Sequence, residues 1–491
     1  MTTLILSNVK EGDVSTSALA RRSSFQRRRN SWFHALIHTT PARFAILVFS
    51  ALVLLWTALL ALPIASETGE MTPISDAFFT AVSAICVTGL ATVDMATHWS
   101  VFGDVVVLLG IQIGGVGVLT LASLLGLTVT RRLGLRQRLM VASDTNPNRT
   151  AKGASERQAV GLGDIGGLLT AVVLSLLVIE ATLTALILPR LLTDGLGFWN
   201  ALWKSFYFAA SAFTNTGFVP LDDGLTEHLG DYYLLSVLAL GVFLGSIGFP
   251  VIFALYRTLR SSSIRRNHIG LHAKLTLTAT LAFFILGWLL IGSLEWNNPL
   301  TLGSEPLGRT LFDAGYMSVM TRSGGLGTID PSEMNGSTRL VMNMLMFVGG
   351  GSASTAGGIK VTTLAVLFIA AYAEARGYKD MQAFGRRIPN EVLRVAVSVL
   401  IWGATIVLVA TTAIMHLAGT TLDETLFEVI SAFGTCGLST GLSEALPDSG
   451  KYILAATMWA GRVGTVTLAA AVAATSRSRM FRLPEERPIV G

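Results

Sequence analysis

Long apolar runs alternate with short amphipathic ones along this chain. The run "ARFAILVFSALVLLWTALLALPIA" (42–65) carries a single charge, Arg43, at its start. It is long enough to cross a bilayer core of about 30 Å, which takes roughly 20 residues. A short segment "ISDAFFTAVSA" (74–84), a loop phrase "SAICVTGL" (83–90), an Asp-containing turn and a second long run "VFGDVVVLLGIQIGGVGVLTLASLL" (101–125) follow. The same order recurs three times, with short segments "NALWKSFYFAASA" (200–212), "TLFDAGYMSVM" (310–320) and "TLFEVISAFG" (425–434). Such a period predicts four units, at about 42–127, 163–257, 273–371 and 391–475. The short segments fall below spanning length and read as re-entrant helices. Irregular backbone survives at membrane depth only where protein buries it or a water-filled cavity meets it. The expected architecture is therefore an all-α membrane protein: eight transmembrane helices and four re-entrant helices around a central pseudo-fourfold pore.

Composition agrees. Of 491 residues, 51% are hydrophobic and 14% charged, against about a quarter charged in soluble domains; mean hydropathy is +0.60. A net charge of +5 could suggest nucleic acid, but the basic residues collect on alternate connections. Arg27, Arg28 and Arg29 precede the first span, Arg131 and Arg132 follow the second, and Arg265 and Arg266 follow the fourth. The intervening connections are acidic, including Asp94, Asp222, Asp223, Glu227 and Asp330. This is the positive-inside pattern, and it predicts a multi-pass plasma-membrane protein with both termini cytoplasmic. Residues 1–41 read as a disordered basic tail, 128–162 as a cytoplasmic linker and 476–491 as a cytoplasmic C-terminal tail. "RRRNSWF" is not an export signal, because the apolar run after it is too long and lacks a cleavage pattern.

The polar loop phrases carry the candidate chemistry. "SAFTNTGF" (211–218), "SVMTRSGGL" (318–326) and "SAFGTCGL" (431–438) match "SAICVTGL" in kind. A dehydrated cation needs oxygen ligands, and rings of backbone carbonyls supply them without formal charge. Glycine tolerates the backbone angles this requires. The candidate filter is Val87, Thr88 and Gly89; Asn215, Thr216 and Gly217; Ser323, Gly324 and Gly325; and Thr435, Cys436 and Gly437. Gly325 is assigned the filter position in the third loop, with Gly324 as the alternative, and one extra residue is read after Ser323. Asp94, Asp222 and Asp330 would concentrate cations at the mouth. Close helix packing through small residues is the competing reading, and a single loop would favour it; four loops in the same position favour the filter. Cys86 and Cys436 read as small thiols filling space, though spacing alone leaves a disulfide open.

"GGGSASTAGG" (349–358) interrupts the third unit's second helix, since glycine costs about 1 kcal/mol there relative to alanine. Gly349, Gly350, Gly351, Ser352, Ala353, Ser354, Thr355, Ala356, Gly357 and Gly358 form a candidate gate under the filter, with Lys360 where the helix resumes; a tight helix crossing is the alternative. Arg462 stands within an apolar helix and should face the interior, as a barrier below the filter or a partner of the gate, or else be a structural arginine. Glu180 is also intramembrane, with no role assigned.

"VTGL" (87–90), "NTGF" (215–218), "GGSASTAGGIKVTT" (350–363), "GRVG" (461–464) and "LPEERPIVG" (483–491) together resemble the Trk/Ktr/HKT superfamily of potassium transporters, most closely its KtrB-type membrane subunits. The resemblance covers about 42–491. It implies K+ uptake through four channel-like repeats, one filter glycine per repeat, and an intramembrane gating loop. It also implies a homodimer on a cytosolic ring of nucleotide-binding KtrA-type subunits, Na+ as an activator, and no covalent cofactor. The third loop departs from the superfamily's usual R-T-A-G-F, and Ala353 stands where relatives often carry Gly or Pro. A proton- or sodium-coupled carrier is the alternative function, with Glu180 and Arg462 as its ionisable candidates. An intramembrane hydrolase is remoter, because no nucleophile and base fall together inside the spans. The literal G-x-G-x-x-G at Gly161, Gly163 and Gly166 lacks the strand context of a dinucleotide site.

Overall fold

The computed structural model describes residues 41–132, 162–219, 221, 224–225, 228, 230–260 and 269–464. The expected N-terminal tail, most of the cytoplasmic linker, the C-terminal tail, Gly161, Asp222, Asp223 and Glu227 lie outside the described residues.

The first unit comprises α1 (Pro41–Leu60), α2 (Ile74–Cys86) and α3 (Val101–Arg132). The second has α4 (Leu162–Thr193), α5 (Phe198–Thr214), α6 (Tyr232–Ile247) and α7 (Phe249–Arg260). In the third, α8 (Leu271–Leu294) and α9 (Leu307–Met320) precede α10 (Gly336–Phe347) and α11 (Val361–Ala375). The fourth contains α12 (Asn390–Ala418), α13 (Leu422–Gly434), the single turn α14 (Leu442–Ala445) and α15 (Asp448–Trp459), which runs into a π-helical turn at Ala460–Gly464. Gly163 and Gly166 lie inside α4.

Among the described residues, the stretch Val172–Thr193 of α4, together with α8 and α12, is long and apolar enough to cross a membrane, and α6 with α7 makes a fourth if the bent pair is one span. Their outward faces are apolar: Leu289, Ile401 and Leu408 are each at least 60% exposed, as is Leu54 of α1. Water would penalise so much greasy surface, whereas lipid accepts it.

The short helices α2, α5, α9 and α13 pack in one repeating way. Each leans on the long helix that precedes it in its own unit: α1, α4, α8 and α12 respectively. Each also packs on a helix that follows the loop in the unit before it. Thus α5 meets α3, α9 meets α6, α13 meets α10, and α2 meets α15, which returns the order to its start. Small residues also let short helices pack closely on the helix that follows them in the same unit. A Cβ on Gly241 of α6 would lie 3.0 Å from Ala212 of α5, and one on Gly110 of α3 would lie 3.2 Å from Ala84 of α2.

Polar clamps tie the connections. Asp76 at the start of α2 accepts from Thr92 Oγ (2.7 Å) and pairs with Lys451 of α15 (2.6 Å). Glu295, just past α8, accepts from Asn298, Thr301 and Thr338 side chains and the Asn335 backbone. Burial pushes its carboxyl up, but these bonds outweigh burial and hold it below the ordinary glutamate range.

Two features depart from the sequence reading. The all-α expectation misses a small antiparallel hairpin, β1 (Met381–Ala383) and β2 (Arg386–Ile388). Phe384 and Gly385 between them both take positive φ, the geometry of a two-residue I′ turn. The second unit's last helix is also not straight: α6 and α7 meet at 101°. Gly248 at the corner has φ +83°, and Pro250 opens the first turn of α7, where its missing N–H costs nothing.

A Cβ at Gly248 would sit 2.8 Å from the Ala353 carbonyl oxygen, while one at Gly195, of equal φ, would meet nothing within 4 Å. Positive φ strains an alanine at either place, and at Gly248 a ψ of 152° adds a backbone region that essentially only glycine enters. Gly248→Ala is expected to melt several degrees below Gly195→Ala in detergent, the difference reporting the collision and the glycine-only backbone together; equal melting temperatures would contradict a tight corner.

Candidate functional site

The four short helices end alike. Helices α2, α5 and α13 stop at a left-handed residue, Val87 (φ 57°), Asn215 (φ 62°) and Thr435 (φ 45°). In the third unit Ser323 takes φ 73°. Two residues later comes a glycine of positive φ: Gly89 (88°), Gly217 (87°), Gly325 (66°) and Gly437 (92°). The third loop therefore has no extra residue. Ser323 matches Val87, Asn215 and Thr435, and Gly324 matches Thr88, Thr216 and Cys436. Helix α9 differs just before this point. Thr321 caps it in right-handed geometry, and Gly324 N–H reaches back to Met320 O (2.8 Å). The other loops close one residue longer, as Thr88 to Ser83, Thr216 to Ser211 and Cys436 to Ser431, each at 2.8 Å. Left-handed backbone is a true outlier for β-branched Val87 and Thr435, and strain of this kind collects where surrounding structure and function impose it.

The four glycines converge, and each faces the middle carbonyl of the next loop. A Cβ on Gly89 would run into Thr216 O; on Gly217 it would lie 3.1 Å from Gly324 O, on Gly325 2.8 Å from Cys436 O, and on Gly437 2.5 Å from Thr88 O. That order is cyclic. Hydroxyls and a thiol brace it from behind: Gly89 N–H donates to Ser83 Oγ (3.1 Å), Ser211 Oγ to Phe218 O (2.7 Å), and Cys436 Sγ to Met320 O (3.3 Å). Ser323 Oγ donates to Thr435 O, stitching the third loop to the fourth. Cys86 and Cys436 are separate buried thiols. The loops contain no carboxylate, and among the described residues no His/Cys/Asp/Glu group could hold a metal. Backbone carbonyls are the donors such a site offers to a cation. Asp94 and Asp330 are exposed and also serve local turns, accepting from the backbone N–H of Ala96 and Ser332.

Between α10 and α11 the chain leaves the helix at Val348 and re-enters at Lys360, the N-cap of α11. A parallel bridge between Val348 and Ile359 pins the two ends together, so 349–358 forms a closed excursion. Ala353 (φ 56°) and Gly358 (φ 64°) turn it. It reaches the glycine loops directly: Thr355 Oγ donates to Asn215 Oδ1 (3.1 Å) and Phe213 O (3.2 Å), and Gly357 N–H to Ser323 Oγ (3.4 Å). The bent corner supports it from the side, with Gly351 N–H on Ser246 O (2.7 Å) and Thr355 N–H on Gly245 O (3.3 Å). Gly349, Gly350 and Gly357 have no room for a side chain. Ser352 bonds to Thr362 Oγ (2.9 Å), and Ser354 and Ala356 are buried.

Three basic groups grip the carbonyls of this excursion. Arg462, 2% exposed in the π-helical turn, donates to Thr355 O. Lys360 Nζ donates to Ala356 O. Arg322, 3% exposed, donates to Gly349 O (3.1 Å) and lies over the Phe283 ring. Among the described residues no carboxylate pairs with either guanidinium. Glu180 sits apart from this site, fully buried and accepting from Gln112 Nε2 (2.7 Å).

The sequence reading passed over Arg322, Gly248 and Glu428. Their signals are an arginine inside an otherwise uncharged loop phrase, the "GSIGFP" run, and a carboxylate in the middle of a short apolar helix.

A charge-assisted bond lost from a buried carbonyl costs about 1.5–3 kcal/mol. Arg322→Gln and Arg462→Gln are each expected to raise deuterium uptake across 349–358 about tenfold or more. Unchanged uptake in both variants would mean the arginines do not hold the excursion.

The TrkH profile, described as a cation transport protein, matches residues 12–482. Ktr system potassium uptake protein B of Bacillus subtilis is 34% identical over 93% of this chain and 98% of its own length. The protein of that name from Vibrio alginolyticus is 32% identical over 91% and 94% respectively, and potassium/sodium uptake protein NtpJ of Enterococcus hirae is 32% identical over 92% and 97%. The crystal structure of the potassium transporter TrkH from Vibrio parahaemolyticus shares the fold, with a TM-score of 0.62 at 17% identity over 86% of this chain and 83% of that one. With its family profile matched over nearly its whole length, this chain is a membrane protein belonging to the TrkH family of cation transport proteins.

Proposed function

We propose that this chain is the membrane subunit of a potassium uptake system, conducting K+ through a central pore walled by its four units. The observation that carries the reading is the cyclic approach of four glycine loops, each to the middle carbonyl of the next. A K+ ion that sheds its water must find oxygen all round, and a ring of carbonyls from four directions provides it. The C-terminal ends of α2, α5, α9 and α13 point their partial negative charge toward the same place. At about half a charge each, they supply an attraction worth roughly two charges before screening. That pull selects cations over anions without a carboxylate in the path.

The excursion 349–358 lies against the loops and would close the route below them. Arg322, Lys360 and Arg462 hold it there, and their positive charge in the same place repels a cation until the excursion withdraws. Opening would be set by a cytosolic nucleotide-binding ring of KtrA type under a homodimer of this chain, with Na+ as activator, as the resemblance to Trk/Ktr/HKT transporters implies. The setting is the plasma membrane, with both termini in the cytoplasm.

The deciding experiment is flux of K+, Rb+ and Na+ into proteoliposomes, for the parent and for Gly217→Ser. A side chain at Gly217 would crowd Gly325 Cα at 2.6 Å and strain a φ of 87°. The parent is expected to carry K+ and Rb+ ahead of Na+, and the substitution to erode that preference. A parent that carries neither ion, with partner ring and sodium supplied, overturns the reading.

A further inference from the structure

The proposed filter is braced unequally on its outer side. In the fourth unit, Glu428 lies on α13, nine residues before Gly437, and is fully buried. Its carboxylate gathers the chain that leaves the loop. Oε1 accepts from Ser439 Oγ (2.7 Å), Ser443 N–H (3.3 Å) and Ser443 Oγ; Oε2 accepts from Thr440 N–H (3.2 Å) and Thr440 Oγ (3.5 Å). Ser439 Oγ in turn accepts from Gly441 N–H (2.9 Å). No basic side chain among the described residues forms an ion pair with Glu428. Its ligands are two backbone N–H groups and three hydroxyls, all within five residues of one strand of chain.

A neighbouring unit offers a measure of how unusual this is. Thr92 stands three residues after Gly89, as Thr440 stands three after Gly437, and its hydroxyl is held by Asp76 (2.7 Å). That carboxylate, however, is shared with Lys451 at 2.6 Å and takes no backbone N–H from the strand. In the third unit the matching Thr328 hydroxyl has no partner among the described residues. Among the described residues the fourth loop is therefore the one whose exit is laced, backbone included, to a single carboxyl group.

We propose that Glu428 is a positioning residue for ion selection: by fixing residues 439–443 it fixes Gly437 and Cys436, and with them the carbonyl wall that the fourth loop presents. The inference rests on the filter reading above. Na+ is smaller than K+, and carbonyls satisfy it only by closing inward; a wall tied from behind resists that movement. Glu428 does not touch the ion. Its effect passes through the strand. The carboxylate is suited to this because both its oxygens only accept, and five donors converge on them. An amide in its place turns one acceptor into a donor that faces the N–H of Ser443 or Thr440.

The test is Rb+ and Na+ flux into proteoliposomes, with apparent KM and maximal rate for K+ and a melting temperature for every variant. Glu428→Gln is expected to lower the Rb+/Na+ flux ratio about tenfold, the scale of one buried donor left without an acceptor. Its maximal K+ rate should stay close to the parent's. Glu428→Asp keeps two acceptor oxygens on a shorter arm and should restore part of the ratio. Ser439→Ala removes one hydroxyl bond while leaving both backbone bonds, and should shift the ratio the same way by about twofold. If Glu428→Gln does not fold, Ser439→Ala and Glu428→Asp carry the decision. Folded variants that melt lower yet keep the parent's ratio would make Glu428 a structural residue only and overturn the inference. A parent that carries no K+ would overturn the filter reading, and this inference with it.

Discussion

Four irregular loops packed glycine against carbonyl are the constraint on which the molecule turns. Their peptide groups have left the helix and are buried, so each N–H and carbonyl must find a partner. Everything around the glycine loops answers that problem. The short helices bring each loop to the same place and end there. Left-handed residues at Val87, Asn215, Ser323 and Thr435 swing the chain out of the helix. Glycines two positions later let the next loop's oxygen come closer than a methyl group would allow. The long helices supply the wall behind, each short helix wedged between its own unit and the one before. Strain in the loops is tolerable because the packing over-determines it.

The excursion 349–358 extends the same logic. It is a second piece of irregular backbone, and it satisfies itself largely on the first, through Thr355, Asn215, Gly357 and Ser323. Its leftover carbonyls are taken by Arg322, Lys360 and Arg462. Buried cations without carboxylates are costly. Here they serve as hydrogen-bond donors to a segment that could not otherwise be dry. A movement of the excursion must therefore free carbonyl oxygens and guanidinium groups together.

Much of this was legible beforehand. The four short helices, the glycines that follow them and the break at 349–358 are visible because composition and period carry them: apolar runs, shorter amphipathic ones, then glycine and hydroxyl clusters. The register of the third loop was not. Counting hydroxyls aligned Ser323 with Thr88 and Thr216, whereas backbone geometry aligns it with Val87 and Asn215. Side-chain type misled because that position is defined by φ, which Val, Asn, Ser and Thr here all adopt. The corner at Gly248 was missed because a glycine inside an apolar run also reads as close packing. The hairpin at 381–388 escaped because its signal is two positive φ angles at Phe384 and Gly385, and phenylalanine does not advertise one. Arg322 and Glu428 were overlooked for another reason: periodicity finds apolar faces, whereas each of these charged residues is placed by what it binds.

The bent corner and the laced fourth loop have a common implication. A ring built from four identical subunits receives every substitution four times over, so its quarters can never specialise. Here the quarters lie on one polypeptide and have already diverged: one is stitched to its neighbour through Ser323, another is tied back by a carboxyl group, a third turns its outer helix by 101°. Each wall can drift separately, one side chain at a time, while the other three keep the ring closed. Asymmetry in such a molecule is inherited rather than induced.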